Sequence, residues 1–546
     1  MKKLFFFFLS IYSYQLYAQK PIQFTQQDTL RGTINADRIW WDLQHYELKL
    51  SIDIDQRRIS GTNKVTYKVI SSSNQLQIDL QNPMKITEVV QDEKRLAYHK
   101  NGNVYIIDLQ KEQIKDSINK LTIHFSGNPK STKGAPWKAG FTWEKDSNGI
   151  DFIGTSCQGQ GASIWWPCKD HLYDEPDKGM DYYYTVPFHL FAVGNGRLIK
   201  ETVNKNQNTK TFHWKVLNPI NNYGVQLSIG DYVTYHDSFE GEAGTLDCDY
   251  YILKESYPKA KKQLKEVERT LRAFEYWFGP YPFYEDSYKI VEVPYLGMEH
   301  QSAVGYGNNY ENGYRGTDLS GSGWGLKFDF IIVHESGHEW FGNNITNKDI
   351  ADMWIHESFT NYSETLFLNY HFGKVAGSEY VIGLRENIQN DKPIIGNYDV
   401  NNEGSGDMYY KGANMLHTIR SIIRNDNTWR SLLRGLNSSF YHQTVTTQEI
   451  ENYINDAAQI DFSKVFDQYL RTVDVPNFQY KIKNKRLEYR WTNCIEDFDM
   501  PLLLKINNKL TKIQPTTSWN KLVLKQSIKE LIVDENFYVT SENLRK

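Results

Sequence analysis

The chain has 546 residues, more than a single hydrophobic core normally organises, so several domains are expected. With 40% hydrophobic and 23% charged residues and no low-complexity tract, disordered and fibrous classes are excluded, and 14% aromatic content suits packed, β-rich domains. The formal net charge of −4, with no run of Lys and Arg that would build a basic face, excludes a nucleic-acid footprint.

Taken in chain order, the first signal is a leader. Met1-Lys2-Lys3 is basic, Leu4 to Ile11 is an apolar run, and Leu16-Tyr17-Ala18 resembles a small-residue cleavage site. Residues 1–18 therefore read as a secretory signal peptide cut after Ala18, and the protein as exported, periplasmic or extracellular. The apolar run is short of the roughly 20 residues that span a bilayer, and no later segment supplies a span. Cys157, Cys168, Cys248 and Cys494 form no C-x-x-C pair, so a zinc–thiolate site is disfavoured. Oxidation of Cys157 with Cys168 and buried free thiols both stay open.

From Asp42 to about residue 235 the hydrophobic pattern has period two. Tyr46, Leu48, Leu50, Ile52 and Ile54 alternate with polar residues, and Val65, Tyr67 and Val69 repeat this. An N-terminal antiparallel β domain over 19–237 is expected. Between Lys259 and Phe278, apolar residues at three- and four-residue spacing mark one helix stopped at Gly279-Pro280. A short strand over Tyr288–Val293 and a Gly-rich loop follow. Two helices come next, Phe328–Phe341 and about Ala351–Phe372, and further helical segments run to about Leu470. This mostly α catalytic domain spans 238–474. Alternation returns after Pro476, giving a small C-terminal β domain over 475–546. The fold class is multidomain α+β.

The helix Phe328–Phe341 carries His334-Glu335-Ser336-Gly337-His338. Residues four apart sit one turn above each other on one helix face, so His334 and His338 can share one zinc ion, with Glu335 beside them as a general base. A chance H-E-x-x-H on a solvated face is the competing explanation. The apolar surroundings count against it, because unsatisfied imidazoles there would be costly. A third ligand supports the metal: Glu357 follows His338 after eighteen intervening residues, on the next helix. Glu364, seven further on, is placed to brace a ligand. Three protein ligands leave one coordination position open, as in catalytic rather than structural zinc sites, and point to hydrolysis.

Four separated motifs together resemble the gluzincin aminopeptidase family that includes alanyl aminopeptidase and leukotriene hydrolase. Leu296-Gly297-Met298-Glu299-His300 is similar to the family's G-A-M-E-N, with Leu296 and His300 departing from it. Thr155-Ser156-Cys157-Gln158 is similar to the β-domain segment that reaches the active site, and Tyr409-Tyr410-Lys411-Gly412 to Y-E-K-G. The zinc motif with Glu357 is the fourth, with His356 in place of Asn and Ser358 in place of Gly. The resemblance implies a thermolysin-like catalytic domain and one zinc ion per chain. It also implies peptide substrates with a free N-terminus, whose ammonium is bound by Glu299 and Gln158 in a subsite lined by Gly297 and Met298. Tyr409 is implied as oxyanion donor, with Tyr410 its rival on proximity. The chain resembles a short form without the helical C-terminal domain of larger members, so the cleft is expected to be open to longer peptides or closed by another subunit. A thermolysin-like endopeptidase, a leukotriene-hydrolase-like epoxide hydrolase and a metal-free binding module are the alternatives.

Overall fold

The computed structural model describes residues 23–133 and 140–544; the leader, residues 1–18, lies outside them. The N-terminal part is β-rich. Eight strands form one sheet in the order Arg197–Asn204, Thr209–Val216, Met180–Pro187, Trp41–Asp53, Arg58–Val69, Ile118–Gly127, Lys85–Gln91 and Lys94–Arg95. Alternation along Trp41–Asp53 puts Leu48, Leu50 and Ile52 into the core while Lys49, Ser51 and Asp53 face outward. Every pairing in this sheet is antiparallel except one. Trp41–Asp53 runs parallel to Met180–Pro187, its partner from the far end of the domain, so the antiparallel expectation is corrected at that seam. A parallel neighbour needs a long crossover, which side-chain periodicity cannot reveal. A second, five-stranded sheet holds Asp151–Ser156, the strand that leads to Gln158.

The expected division at residue 237 falls within the strand Tyr232–Gly241. That strand pairs with Gly244–Leu253, in one sheet with Tyr288–Glu292, Val304–Tyr306 and Gly297–Met298. This sheet flanks the helices of the catalytic part and delivers Gly297-Met298-Glu299 to its edge. The helix expected over Lys259–Phe278 is broken at Leu264 into Tyr257–Gln263 and Lys265–Phe278. The second piece is strongly one-sided, burying Val267, Leu271, Phe274 and Phe278. Helix Phe330–Gly337 is buried on every side. Trp354–Phe372 packs across it, with Phe359 stacked on Phe341 at 4.5 Å between ring centroids. The C-terminal part holds small sheets of four and three strands.

No helix among the described residues is long and apolar enough to cross a membrane. All four cysteines are free thiols, and Cys157, Cys168 and Cys248 are buried. Two short helices ahead of the first strand, Gln26–Gly32 and Ala36–Ile39, lie outside the expected elements. Gln26–Gly32 is capped by Thr25, whose hydroxyl accepts from the Asp28 amide while Asp28 accepts from the Thr25 backbone. The Thr25-x-x-Asp28 spacing is the signal that could have found it. It ties the β-rich part to the helical part, since Asn401 N donates to Asp28 O and Thr33 Oγ1 to Asp399 O.

Candidate active site

Helix Phe330–Gly337 starts at Asp329, whose carboxylate accepts from the amides of Ile331 and Ile332. Tyr306, Asn308 and Gln263 donate to the same carboxylate, so the start of the helix is pinned from three sides. Because the helix is buried all round, each polar residue on it needs a partner. Ser336 donates to Ile332 O and bonds the Tyr288 hydroxyl at 2.7 Å. His334 Nδ1 bonds Glu364 Oε1 at 2.7 Å, which fixes the ring tautomer and leaves Nε2 as a lone-pair donor. Glu364 is held in turn by Asn361 and by the Tyr380 hydroxyl at 2.6 Å. His338 Nδ1 donates to Phe341 O at 3.0 Å, so its Nε2 is likewise free.

Glu357 projects from the next helix to meet both rings. Its Oε2 lies 3.4 Å from His338 Nε2 and 3.9 Å from His334 Nε2. That oxygen is buried and has no hydrogen-bond partner in the protein, while ligand atoms of His334, His338 and Glu357 all lie within 4.8 Å of one another. Two imidazole lone pairs and one unsatisfied buried carboxylate oxygen converging on a point are a donor set for zinc. The charges agree with this. Burial acts to raise the Glu357 carboxyl, but the two imidazoles beside it prevail and hold it below the usual carboxylate range. Burial acts to lower His338, yet Glu357, Glu299 and Glu335 push it up to about 10. A cation is wanted there, and a dication competes with ring protons for the same lone pairs.

The remaining sequence-predicted residues line the same cleft, about 770 Å³ in volume: Gln158, Gly297, Met298, Glu299, Glu335, Tyr409 and Tyr410. Glu335 is buried, and burial raises its carboxyl, with Glu299 and Glu357 adding to the rise and the two histidines opposing it. The backbone at Gly297 runs against it, since a Cβ there would stand 2.5 Å from Glu335 Oε1, which explains the glycine. Glu299 is 3% exposed, its Oε1 has no partner in the protein, and its carboxylate lies within 4.8 Å of ligand atoms of Glu335 and His338. Gln158 Nε2 donates to Glu357 Oε1 at 2.6 Å, which leaves Gln158 Oε1, an acceptor, for the cleft. Tyr409 lies beside His334 with rings near parallel at 6.1 Å between centroids, and after burial Glu357 is the first of the groups that push its hydroxyl well above the ordinary phenol range. Tyr410 lines the cleft too, but Glu364 and Tyr314, not Glu357, are the charges acting on it.

The departures from the motif pattern also find their places. His300 is fully buried with neither ring nitrogen bonded to protein, and burial pushes it down to about 3, so it is neutral. Ser358 Oγ donates to Met408 O at 2.6 Å, and a Cβ on Gly412 would stand 1.9 Å from that oxygen. Ser358 thus ties the helix carrying Glu357 to the segment presenting Tyr409. Sequence reasoning missed Tyr380, whose hydroxyl donates to Glu364, and Tyr223, whose hydroxyl meets His356 Nδ1 at 3.3 Å, because both meetings arise only in the fold.

Two family profiles match the chain: "Peptidase M1 N-terminal domain" over residues 43–223 and "Peptidase family M1 domain" over residues 263–469. Among curated relatives, leukotriene A-4 hydrolase of Xenopus laevis is 22% identical over 81% of this chain and 73% of its own length. Probable aminopeptidase 1 of Sulfurisphaera tokodaii is 22% identical over 86% of this chain and 58% of its own length. Leucyl aminopeptidase of Saccharolobus solfataricus is matched over 50% of its length, so the chain spans between half and three quarters of these relatives. Among solved structures, an M1 zinc metallopeptidase from Deinococcus radiodurans superposes with a TM-score of 0.64 at 19% identity, over 80% of this chain and 95% of that one. A mutant of that protein has been solved with a Tyr-Ser-Ala substrate.

Proposed function

From the premise that this chain belongs to peptidase family M1, whose cofactor is zinc, we propose that it is an exported aminopeptidase that removes the N-terminal residue from peptides. The observation that carries this reading is Glu299, a buried carboxylate whose Oε1 has no protein partner, next to Glu335. Three carboxylates, Glu299, Glu335 and Glu357, converge on His338, and such a concentration of negative charge calls for cations. Zinc at His334, His338 and Glu357 answers part of it, and a substrate ammonium at Glu299 answers the rest. One fixed anchor beside the base sets the register, so that the first peptide bond is the one that reacts.

The residues then divide the work. Glu299 and Gln158 Oε1 hold the ammonium. When bound, the zinc ion supplies Lewis acidity for water and for the scissile carbonyl. Glu335 accepts the proton of the attacking water as the C–O bond forms, and returns it to the leaving nitrogen as the C–N bond breaks. The Tyr409 hydroxyl donates to the oxyanion of the tetrahedral intermediate. Gly297, by lacking a side chain, lets the substrate-side backbone lie close to Glu335.

The test is a panel of aminoacyl-coumarin substrates, free and N-acetylated, with and without chelator. Cleavage of free-amine substrates only, lost with chelator and restored by zinc, is expected. Equal cleavage of acetylated peptides would replace the reading with an endopeptidase. Export is tested by N-terminal sequencing of the protein recovered outside the cytoplasm, with a start near Gln19 expected and an intact Met1-Lys2-Lys3 refuting it.

A further inference from the structure

We propose that Arg31 is a positioning residue that holds the turn carrying Gln158 in the cleft. Arg31 precedes both profile-matched stretches, the first of which begins at residue 43, so it belongs to a part of this chain that the family profiles do not describe. The inference rests on the aminopeptidase reading above, in which Gln158 Oε1 accepts from the substrate's ammonium.

The last carbonyls of helix Gln26–Gly32 have no partner within the helix, and side chains of neighbouring elements take them up. Gln77 Nε2 donates to Leu30 O at 3.2 Å, Arg38 Nη1 to Arg31 O at 2.7 Å, and His171 Nε2 to Gly32 O at 3.1 Å. Arg38 is itself fully buried, and its Nη2 pairs with Asp79 Oδ2 at 2.6 Å. The backbone of Arg31 is therefore fixed before its side chain reaches out.

That side chain crosses to the turn at 157–161. Arg31 Nη2 donates to Gly159 O at 3.2 Å, and its Nε lies 3.6 Å from Asp170 Oδ2. Asp170 is buried and accepts from the Ser163 amide, so the guanidinium spans a fixed carboxylate and the carbonyl of the turn. Two glycines make room for this. A Cβ on Gly161, where φ is +81°, would stand 2.3 Å from Arg31 Nη2, and a Cβ on Gly32 would stand 2.2 Å from the carbonyl carbon of Val400. The second contact seats the end of the helix against the segment from which Asn401 Nδ2 also donates to Gly159 O, at 3.5 Å. The carbonyl next to Gln158 is thus held from two sides. Gln158 makes its forward bond through Nε2 to Glu357. With the turn held behind and the amide held in front, Oε1 keeps one direction. A loose turn would have to be ordered as the substrate binds, at the expense of affinity.

A double-mutant cycle separates this role from mere packing. With a free-amine aminoacyl-coumarin, Arg31→Ala is expected to raise KM about threefold to fivefold with kcat within about twofold, the same change as Gln158→Ala. In the double variant Arg31→Ala/Gln158→Ala, KM should be no higher than in Gln158→Ala, because Arg31 acts through Gln158. Gln27→Ala, on the same helix but with its bonds running to Asn101 and Asn103, should keep the parent KM. Zinc content and Tm of each variant check that the site is intact. If Arg31→Ala does not fold, Arg31→Gln, polar but too short to bridge Asp170 and Gly159, takes its place in the cycle. An unchanged KM in the Arg31 variant, an equal rise in Gln27→Ala, or rises that multiply in the double variant overturns the inference and leaves the aminopeptidase reading standing. A parent enzyme with no preference for a free amine removes both.

Discussion

The two walls of the cleft are built to different standards. On the helical wall, His334 and Glu357 project from two packed, buried helices and His338 from the residue that caps the first, and the polar groups behind them are tied down. His334 leans on Glu364, Glu364 on Tyr380 and Asn361, and His338 on Phe341 O. On the β wall, Gln158 follows the end of a strand and Glu299 follows a two-residue strand, and each keeps an oxygen without a protein partner. The contrast follows from the work proposed for each wall. Bond-making tolerates little misplacement, so its groups are satisfied from behind. Recognition of an ammonium needs acceptors left unpaired until the substrate arrives, and their desolvation is offset only on binding.

If the contrast holds, changes on the helical wall should strike kcat or the metal, and changes on the β wall should strike KM. Glu335→Gln should cut kcat by about 10³ or more while zinc content is retained, and near-normal turnover would break the assignment at once. Tyr409→Phe should lower kcat by about 10²–10³ with KM little changed, and an equal effect from Tyr410→Phe would transfer the role to its neighbour. Glu299→Ala should raise KM for free-amine substrates by roughly tenfold to a hundredfold and leave blocked substrates unaffected, which steady-state kinetics on matched pairs would read. Glu364→Ala should weaken zinc binding by about 10–100-fold in a chelator competition, without altering KM in excess zinc. Gln158→Ala is the mildest, a few-fold rise in KM worth about 1 kcal/mol. A large fall in its zinc affinity would instead mean that its bond to Glu357 matters more than its place in the cleft.

Much of the helical wall was legible in the sequence, because it depends on local spacing. His334 and His338 are one turn apart, Glu357 and Glu364 are two turns apart on one helix, and these offsets are independent of the rest of the fold. The β wall was legible only by its resemblance to the family motifs, since Gln158 meets Glu357 across 199 residues of chain and no periodicity encodes that meeting. Tyr223 was not legible for the same reason, because it meets His356 only once the fold has formed. The parallel pairing of Trp41–Asp53 with Met180–Pro187 was hidden likewise: alternation states which face a residue takes, not which strand lies next to it. The break at Leu264 was masked by an apolar stripe that continues on both sides of it.

The contact between Ser358 and Gly412 imposes an order on sequence drift. While position 358 carries a hydroxyl bonded to Met408 O, position 412 has no room for a methyl group. Ser358 can lose its hydroxyl before Gly412 gains a side chain, but not after, because the reverse step would pass through an ancestor in which the helix bearing Glu357 and the segment bearing Tyr409 are wedged apart. In lineages that keep the serine, the glycine two residues after the cleft-lining Tyr410 is therefore frozen by a neighbour in space rather than by any part of its own in the chemistry.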